Sequence, residues 1–356
     1  LAAGLAPWKT VRAALQPRIA IIGGGISGLT AARLLADRGV GCTIYEAQNR
    51  TGGRMLSDRP RQPACGACHQ VNRGVADTWA DGQVTDVFGE LIDSSHKTIL
   101  SLAKRFRLPL TDALAAEPAG STETYYFQGL RYTKAQADAD FKILYPALHV
   151  DLQAAGYPTT YNTSTAAGRM LDSMSIYDWI ESRVPGGRRS PLGALLDVAY
   201  NIEYGAETAD QSALNLLYLL AYAHRSSFSA FGPSDERYRI AGGVDLLPQA
   251  LTSSLDPSLT EILLGWELRA LAQRADGAYL LSFGRSRTTT QVADIVLLTL
   301  PFATLRLLDY RGAGFDALKA RAIQELGRGH NGKLHLQFRE RLWNRPGAWG
   351  VSNGSS

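Results

Sequence analysis

Residues 18–28 read Arg18-Ile19-Ala20-Ile21-Ile22-Gly23-Gly24-Gly25-Ile26-Ser27-Gly28. Ile19 to Ile22 form a short apolar run of the kind that makes a buried parallel strand. Gly23, Gly25 and Gly28 then supply a G-x-G-x-x-G turn. Gly23 permits the tight turn, Gly25 lets backbone approach a pyrophosphate, and Gly28 lets the following helix, expected over 29–38, pack close to the strand. The N-terminus of such a helix points unpaired N–H groups at phosphate oxygens, and Ile26 and Ser27, within the turn, are further cofactor-binding candidates. A second strand, expected over 41–45, ends at Glu46, where an acid is placed to accept hydrogen bonds from a ribose hydroxyl. Strand, helix and acid fall at the spacing of a Rossmann-type α/β unit, so the stretch predicts a dinucleotide site. The motif alone does not choose between NAD and FAD.

The next residues bear on that choice. Glu46-Ala47-Gln48-Asn49-Arg50-Thr51-Gly52-Gly53-Arg54 resembles the E-A-x-x-R-x-G-G-R sequence of the flavin amine oxidases, which include monoamine, polyamine and L-amino-acid oxidases. The resemblance implies FAD as cofactor. It brings the backbone at Gly53 close to the cofactor and puts Arg54 at the pyrophosphate, a task suited to a planar, permanently charged guanidinium. Residues 88–96, Phe-Gly-Glu-Leu-Ile-Asp-Ser-Ser-His, resemble the segment running past the flavin ring, which implies that Gly89, Glu90, Leu91 and Ile92 face it. A helix over 97–107 should follow. Residues 238–243, Tyr-Arg-Ile-Ala-Gly-Gly, are similar to the family's return to the cofactor domain, and 266–271 to the strand whose backbone holds the adenine, with Leu268 at that place. Residues 293–301 resemble a further strand of the cofactor domain. Residues 332–338, Gly-Lys-Leu-His-Leu-Gln-Phe, resemble the strand carrying the lysine that faces flavin N5, which would be Lys333.

The likeness runs in order from residue 18 to about 343. It implies an α/β, two-domain flavin amine oxidase-like fold with a Rossmann-type FAD domain and an α+β substrate domain bearing a helical insertion. The FAD domain would combine 18–100 and 235–325. The helical substrate domain would occupy 101–234, with helices over 141–154, 175–183, 192–202 and 211–224. Residues 326–356 would begin the substrate-domain sheet and leave it incomplete. The chain departs from the family at Ser356, where its members continue with a portion that closes over the flavin; a second polypeptide completing the fold is one expectation. Residues 57–86 make a longer, irregular connection. Ile92 stands where venom-type L-amino-acid oxidases carry a carboxylate-binding arginine.

Composition bounds the partners. The 356 residues are 45% hydrophobic and 20% charged, ordinary for a globular protein large enough for more than one domain. A net charge of +4 without a basic, aromatic-interleaved stripe gives no footprint for nucleic acid. The longest apolar stretch, residues 214–223, contains Asn215 and is too short to cross a bilayer, so it reads as a buried helix. Leu1-Ala2-Ala3-Gly4-Leu5-Ala6 fits the tail of a cleaved export signal, which would make the protein secreted or periplasmic; a cytoplasmic location with a processed start is the alternative. A homo-oligomer is expected from the resemblance.

Cys65-Gly66-Ala67-Cys68-His69 matches the c-type haem attachment sequence, but its place inside an insertion favours a local disulfide or two loop thiols. It offers too few ligands for a metal, and no metal site is expected. Cys42 should be a core residue of the second strand.

The implied chemistry is FAD-dependent oxidation of a primary amine or L-amino acid by O2, giving imine then carbonyl, ammonia and hydrogen peroxide. Lys333 would be the catalytic side chain. Tyr200, Glu203, Tyr204 and Trp349 are candidates to line the substrate pocket, a carboxylate at Glu203 suiting a cationic substrate. A flavin desaturase or protoporphyrinogen-type oxidase, an inactive flavin-binding scaffold and an NAD-dependent dehydrogenase are the alternatives. Residues 52–54 argue against the last.

Overall fold

The computed structural model describes residues 16–59, 79–117, 120, 122–127, 129–284 and 288–342, and the backbone of 352–354. Residues 65, 68, 69, 343 and 349 lie outside these, so the cysteine-pair and Trp349 expectations do too. The described residues fall into two compact units. One is drawn from Leu1–Leu91, Lys97–Thr111 and Arg239–Gly327, the other from Ile92–His96, Asp112–Tyr238 and Arg328–Ser356. The boundary expected at residue 100 therefore falls inside the first unit.

The first unit is built on four parallel strands in the order Ile295–Leu298, Ile19–Ile22, Cys42–Glu46, Thr260–Leu264. All four residues of Ile19–Ile22 are buried, as a strand between two parallel neighbours requires. Cys42 is buried in the second strand. The helix after the glycine turn runs Ile26–Ala36, three residues earlier than the apolar pattern indicated, because Gly25 itself is its N-cap. A second, antiparallel sheet of Leu268–Gln273, Tyr279–Phe283 and Thr289–Ala293 shares a core with the first. That core contains Ala20, Ile22, Tyr45, Leu268, Leu281 and Phe283, with the Tyr45 and Phe283 rings stacked at 4.5 Å.

Residues 293–301, expected as one strand, belong to two sheets. Thr289–Ala293 closes the antiparallel sheet and Ile295–Leu298 opens the parallel one. Asp294 is the joint. Its carboxylate accepts from the Arg18 backbone N–H at 2.8 Å and from the Arg18 guanidinium at 3.1 and 2.6 Å, locking the start of the first strand to its neighbour.

The second unit is largely helical: Lys134–Ala155, Ala166–Ser173, Ile176–Arg183, Pro191–Tyr204 and Ala213–Leu220 surround a core led by Trp179, Tyr200, Phe141 and Phe228. The first of these begins seven residues before the expected 141. Its opening residues are too polar to show an apolar stripe, but Thr133 and Gln136 form a reciprocal capping box that starts it. Ala166–Ser173, absent from the sequence expectation, is capped by the Thr165 side chain, which accepts from the Gly168 N–H without a reciprocal bond. The helix expected over 211–224 forms only as Ala213–Leu220, so the apolar stretch 214–223 outruns it and residues 221–223 turn away from it. Thr124–Phe127 and Leu130–Thr133 pair antiparallel, and Ser352–Gly354 runs parallel to the former.

The strand expected over 332–338 does not form. These residues have no regular structure, and Leu334 and Leu336 are 84% and 65% exposed. The alternating pattern is present, but a strand exists only through ladder bonds to a neighbour, and no sheet among the described residues includes this segment. No helix among the described residues is long and apolar enough to cross a membrane.

Hydrogen bonds from Arg18 hold the Asp294 carboxyl down to about 2, against an ordinary 3.8. The joint's stabilising contribution is thus complete above the ordinary value and is lost as pH falls through about 2. Asp294→Asn should lower denaturant stability at neutral pH and flatten the acid limb of a stability–pH curve; an acid limb identical to wild type would contradict this.

Candidate functional site

The glycine turn is defined by what a side chain at each position would strike. At Gly28 a Cβ would lie 2.0 Å from the Gly23 carbonyl oxygen, so helix and turn touch backbone to backbone. Gly23 sits at φ +109°, and a Cβ there would meet Thr299 Oγ1 at 2.7 Å; that hydroxyl donates to the Ile22 and Gly23 carbonyls at 2.8 and 3.1 Å. At Gly24 a Cβ would come within 3.2 Å of Glu46 Cβ. The central residue of the turn is glycine because the acid ending the second strand fills its side.

Gly25 is different. Its backbone is ordinary, φ −75° and ψ −179°, and nothing lies within 4 Å of where its Cβ would be. The protein itself does not require glycine there, although Gly25 caps a helix that no side chain caps. That leaves helix N–H groups beside open space at a backbone surface, the arrangement that receives an anion.

Glu46 is buried. Its Oε2 accepts from the Gly24 N–H at 2.7 Å and its Oε1 from the Gln48 N–H at 2.8 Å. A carboxylate has about four lone-pair sites, so each oxygen retains one for a further donor. The strand end holding Glu46 also meets the stretch containing Leu268: Trp266 N–H donates to the Glu46 carbonyl at 2.8 Å and Gly265 N–H to the Gln48 carbonyl at 2.9 Å. The Leu268 side chain is buried in the core. Ala47 is exposed.

The second glycine pair packs on the first. Gly52 N–H donates to the Gly24 carbonyl at 2.8 Å, Gly52 bridges Gly25, and a Cβ on Gly53 would approach Gly25 Cα to 3.3 Å. Arg50, which the motif reading left without a role, braces this loop by donating to the Thr51 and Gly53 carbonyls at 3.2 and 2.9 Å; partial burial lowers its pKa. Arg54 is exposed at the loop's end, as is Ser27 on the helix. Gly23, Gly25, Gly28, Glu46 and Gly53 are thereby brought together at the start of the helix that opens with Ile26 and Ser27, while Ala47 and Arg54 are exposed on the loop between Glu46 and that packing.

In the segment after it, Gly89 has open space at its Cβ position, and Phe88 and Leu91 are 44% and 38% exposed. Glu90 is half-buried. Ile92 is buried in the second unit, exchanging two backbone hydrogen bonds with Tyr238 at 2.7 and 2.9 Å.

Within the second unit, the end of the Pro191–Tyr204 helix collects the remaining candidates. Gly205 ends it at φ +65°; the His330 N–H donates to the Gly205 carbonyl at 2.8 Å, and the Asn331 side chain donates to the Ile202 carbonyl. The exposed Lys333 follows two residues on, so the chain ties it to the helix end bearing Glu203 and Tyr204. Burial of the Glu203 carboxyl and, second, the charge of Asp93 push its pKa upward, although the residue as a whole is exposed. Tyr204 is half-buried and donates to the Asn215 carbonyl at 3.3 Å. Tyr200 corrects the sequence expectation. It is fully buried, and its hydroxyl donates to the Ala230 and Leu216 carbonyls at 2.8 and 3.3 Å, so it is a core residue and lines no pocket. Among the described residues no cluster could hold a metal ion.

The model of the family "Flavin containing amine oxidoreductase" matches residues 26–356. "Putative L-amino-acid oxidase YobN" of Bacillus subtilis (strain 168) is 25% identical over 345 residues, covering 93% of this chain and 66% of its own. The L-amino-acid oxidase of Siganus canaliculatus is 25% identical over 348 residues, covering 93% of this chain and 59% of its own. Among solved structures, wild-type putrescine oxidase bound to putrescine superposes with a TM-score of 0.66 at 18% identity, over 88% of this chain and 64% of that one. Cyclohexylamine oxidase from Brevibacterium oxydans IH-35A gives 0.65 at 19%, over 86% and 63%. This chain thus spans no more than about two thirds of the relatives it matches. It belongs to the flavin-containing amine oxidoreductase family and has that family's two-domain fold. Its cofactor is FAD. The open backbone surface at Gly25, the uncapped helix and the lone pairs left on Glu46 fit the diphosphate and ribose of that group.

The glycines separate two requirements. Gly28→Ala should cost roughly 1–3 kcal/mol or more, since backbone must move. Gly25→Ala should cost the protein's own stability less than Gly28→Ala, no more than the exchange of an N-cap residue, and weaken FAD binding. Denaturation of both apoproteins and FAD titration check this; equal FAD affinity in Gly25→Ala and wild type would refute the role given to the opening.

Proposed function

We propose that this protein is an FAD-dependent oxidase that oxidatively deaminates a primary amine or L-amino acid, releasing the imine-derived carbonyl, ammonia and hydrogen peroxide. The observation that carries the reading is the opening at Gly25, where room is left for a ligand that the protein's own packing does not need. Bound FAD supplies the acceptor for a hydride from the carbon bearing the neutral amine. The chain's residues bind and orient. The N–H groups at Ile26 and Ser27 and the exposed Arg54 guanidinium receive the diphosphate. Glu46 accepts from a ribose hydroxyl, Leu268 presents backbone to the adenine, and Gly89, Glu90, Leu91 and Ile92 border the ring. Lys333, by family resemblance, holds a water at the reacting end, where its charge favours negative charge developing on oxygen. Glu203, whose raised pKa is relieved by a nearby cation, suits a substrate with a second positive group. A further polypeptide segment covering the exposed 332–338 stretch, release from the cell and self-association belong to the same reading.

The test is a visible spectrum of the full-length protein, anaerobic bleaching with a panel of amines and L-amino acids, and peroxide release in air. A flavin bleached by none of them would point instead to a desaturase or an inactive scaffold, and a nicotinamide in extracts would end the proposal. Lys333→Met should slow bleaching or its recovery about tenfold or more; unchanged kinetics of both half-reactions would remove Lys333 from the mechanism. Glu203→Gln should lower kcat/KM about tenfold, or ~1.4 kcal/mol, for dicationic substrates relative to monoamines. An equal effect on both would deny Glu203 a part in selectivity.

A further inference from the structure

The helix packed against the second glycine pair starts at a charged network in no recognised binding motif. Asp86 is fully buried at the end of a short hairpin in which Thr85–Asp86 pairs with Ser57–Asp58. Its Oδ1 accepts from Ser57 Oγ at 2.6 Å and from the Val244 N–H at 2.9 Å, and its Oδ2 lies 3.3 Å from the Arg239 guanidinium. Ser57 Oγ in turn accepts from the Asp245 N–H at 3.2 Å, and the Asp245 carboxylate pairs with Arg59. A buried carboxylate is costly to desolvate, so donors must be held in place around it.

What the network holds is the start of the Leu246–Ser254 helix. Val244 and Asp245 immediately precede it, behind Gly242 and Gly243 at φ +85° and +114°. A Cβ on Gly243 would strike Ser57 Oγ at 2.5 Å, so that turn is seated on the hairpin. The helix then forms the wall behind the cofactor loop. Its Pro248 lies 3.1 Å from where a Gly52 Cβ would stand, and Thr252 Oγ1 meets Thr51 Oγ1 at 3.0 Å. Gly52 is the residue bonded to Gly24 and bridged to Gly25.

We propose that Asp86 is a positioning residue for FAD: through Val244 and the Leu246–Ser254 helix it sets Gly52 and Gly53 against Gly25, and so fixes the shape of the diphosphate opening it does not touch. The inference rests on the reading of that opening as the FAD site. Asp86→Asn is nearly isosteric but replaces an acceptor with a donor in a cluster of donors. Apoprotein is prepared for wild type, Asp86→Asn, Ser57→Ala and Pro248→Ala, and each is titrated with FAD by flavin fluorescence alongside its melting temperature without FAD. FAD affinity should fall at least tenfold in Asp86→Asn. It should fall by a smaller factor in Ser57→Ala and Pro248→Ala, the last without touching the carboxylate. A lowered apoprotein melting temperature with FAD affinity within twofold of wild type would make Asp86 merely structural and overturn the inference. If Asp86→Asn does not fold, wild-type affinity in Pro248→Ala does the same. Wild type that fails to bind FAD would instead refute the proposed function.

Discussion

Backbone packed directly on backbone is the constraint from which the rest of the first unit follows. Gly28 rests on the Gly23 carbonyl, and Gly53 rests on Gly25. No side chain can enter the first contact, and one on Gly53 would crowd the second. The turn, the helix it starts and the loop from Glu46 to Arg54 therefore have one arrangement relative to one another. Glu46 is the polar counterpart of that packing, its two carboxylate oxygens tying the turn to the end of the second strand. An acid expected to face only a ligand also holds the protein together, which couples the geometry of the opening to the fold.

The second unit solves a different problem. It gathers large apolar side chains within a set of helices whose N-terminal ends are fixed by side-chain caps at Thr133, Thr165, Ser175, Ser190 and Ser212. Capping of this kind supplies acceptors for N–H groups that helices leave unpaired. Gly205 then gives a helix end at which chain from the far C-terminal side docks through His330 and Asn331. The helix end bearing Glu203 and Tyr204 thereby meets the stretch that leads into Lys333, and nothing in the spacing of 330 from 205 announces this.

The legible parts of the sequence were those governed by local rules. The glycine spacing, the apolar run before it and the acid after it reported one βαβ unit, because each residue's task there is set by steric exclusion within a few positions. Cys42 and the apolar stretch beginning at residue 214 were readable for the same reason, since burial follows from side-chain character. Less legible were the capped starts at Lys134 and Ala166, where polar first turns hide the periodicity. Residues 293–301 misled because two strands in different sheets abut at Asp294, and Arg18, 276 residues distant, holds the joint. Residues 332–338 misled because alternation describes a strand's side chains and not its partner. Tyr200 was placed on a pocket wall by its position near a helix end, whereas burial and two carbonyl acceptors make it core.

By itself, then, the sequence determined that a dinucleotide cradle lies at the first βαβ unit, because that feature is written in residues that exclude or admit backbone locally; the choice of a flavin came from the resemblance of residues 46–54 to a family. Only the tertiary structure decided which glycine leaves room for a ligand, that Arg50 braces the loop, and that Asp86 holds the start of the helix packed against it. Those outcomes depend on contacts between segments far apart in the chain, where hydrogen bonds and steric closure arise from the fold and not from neighbouring residues.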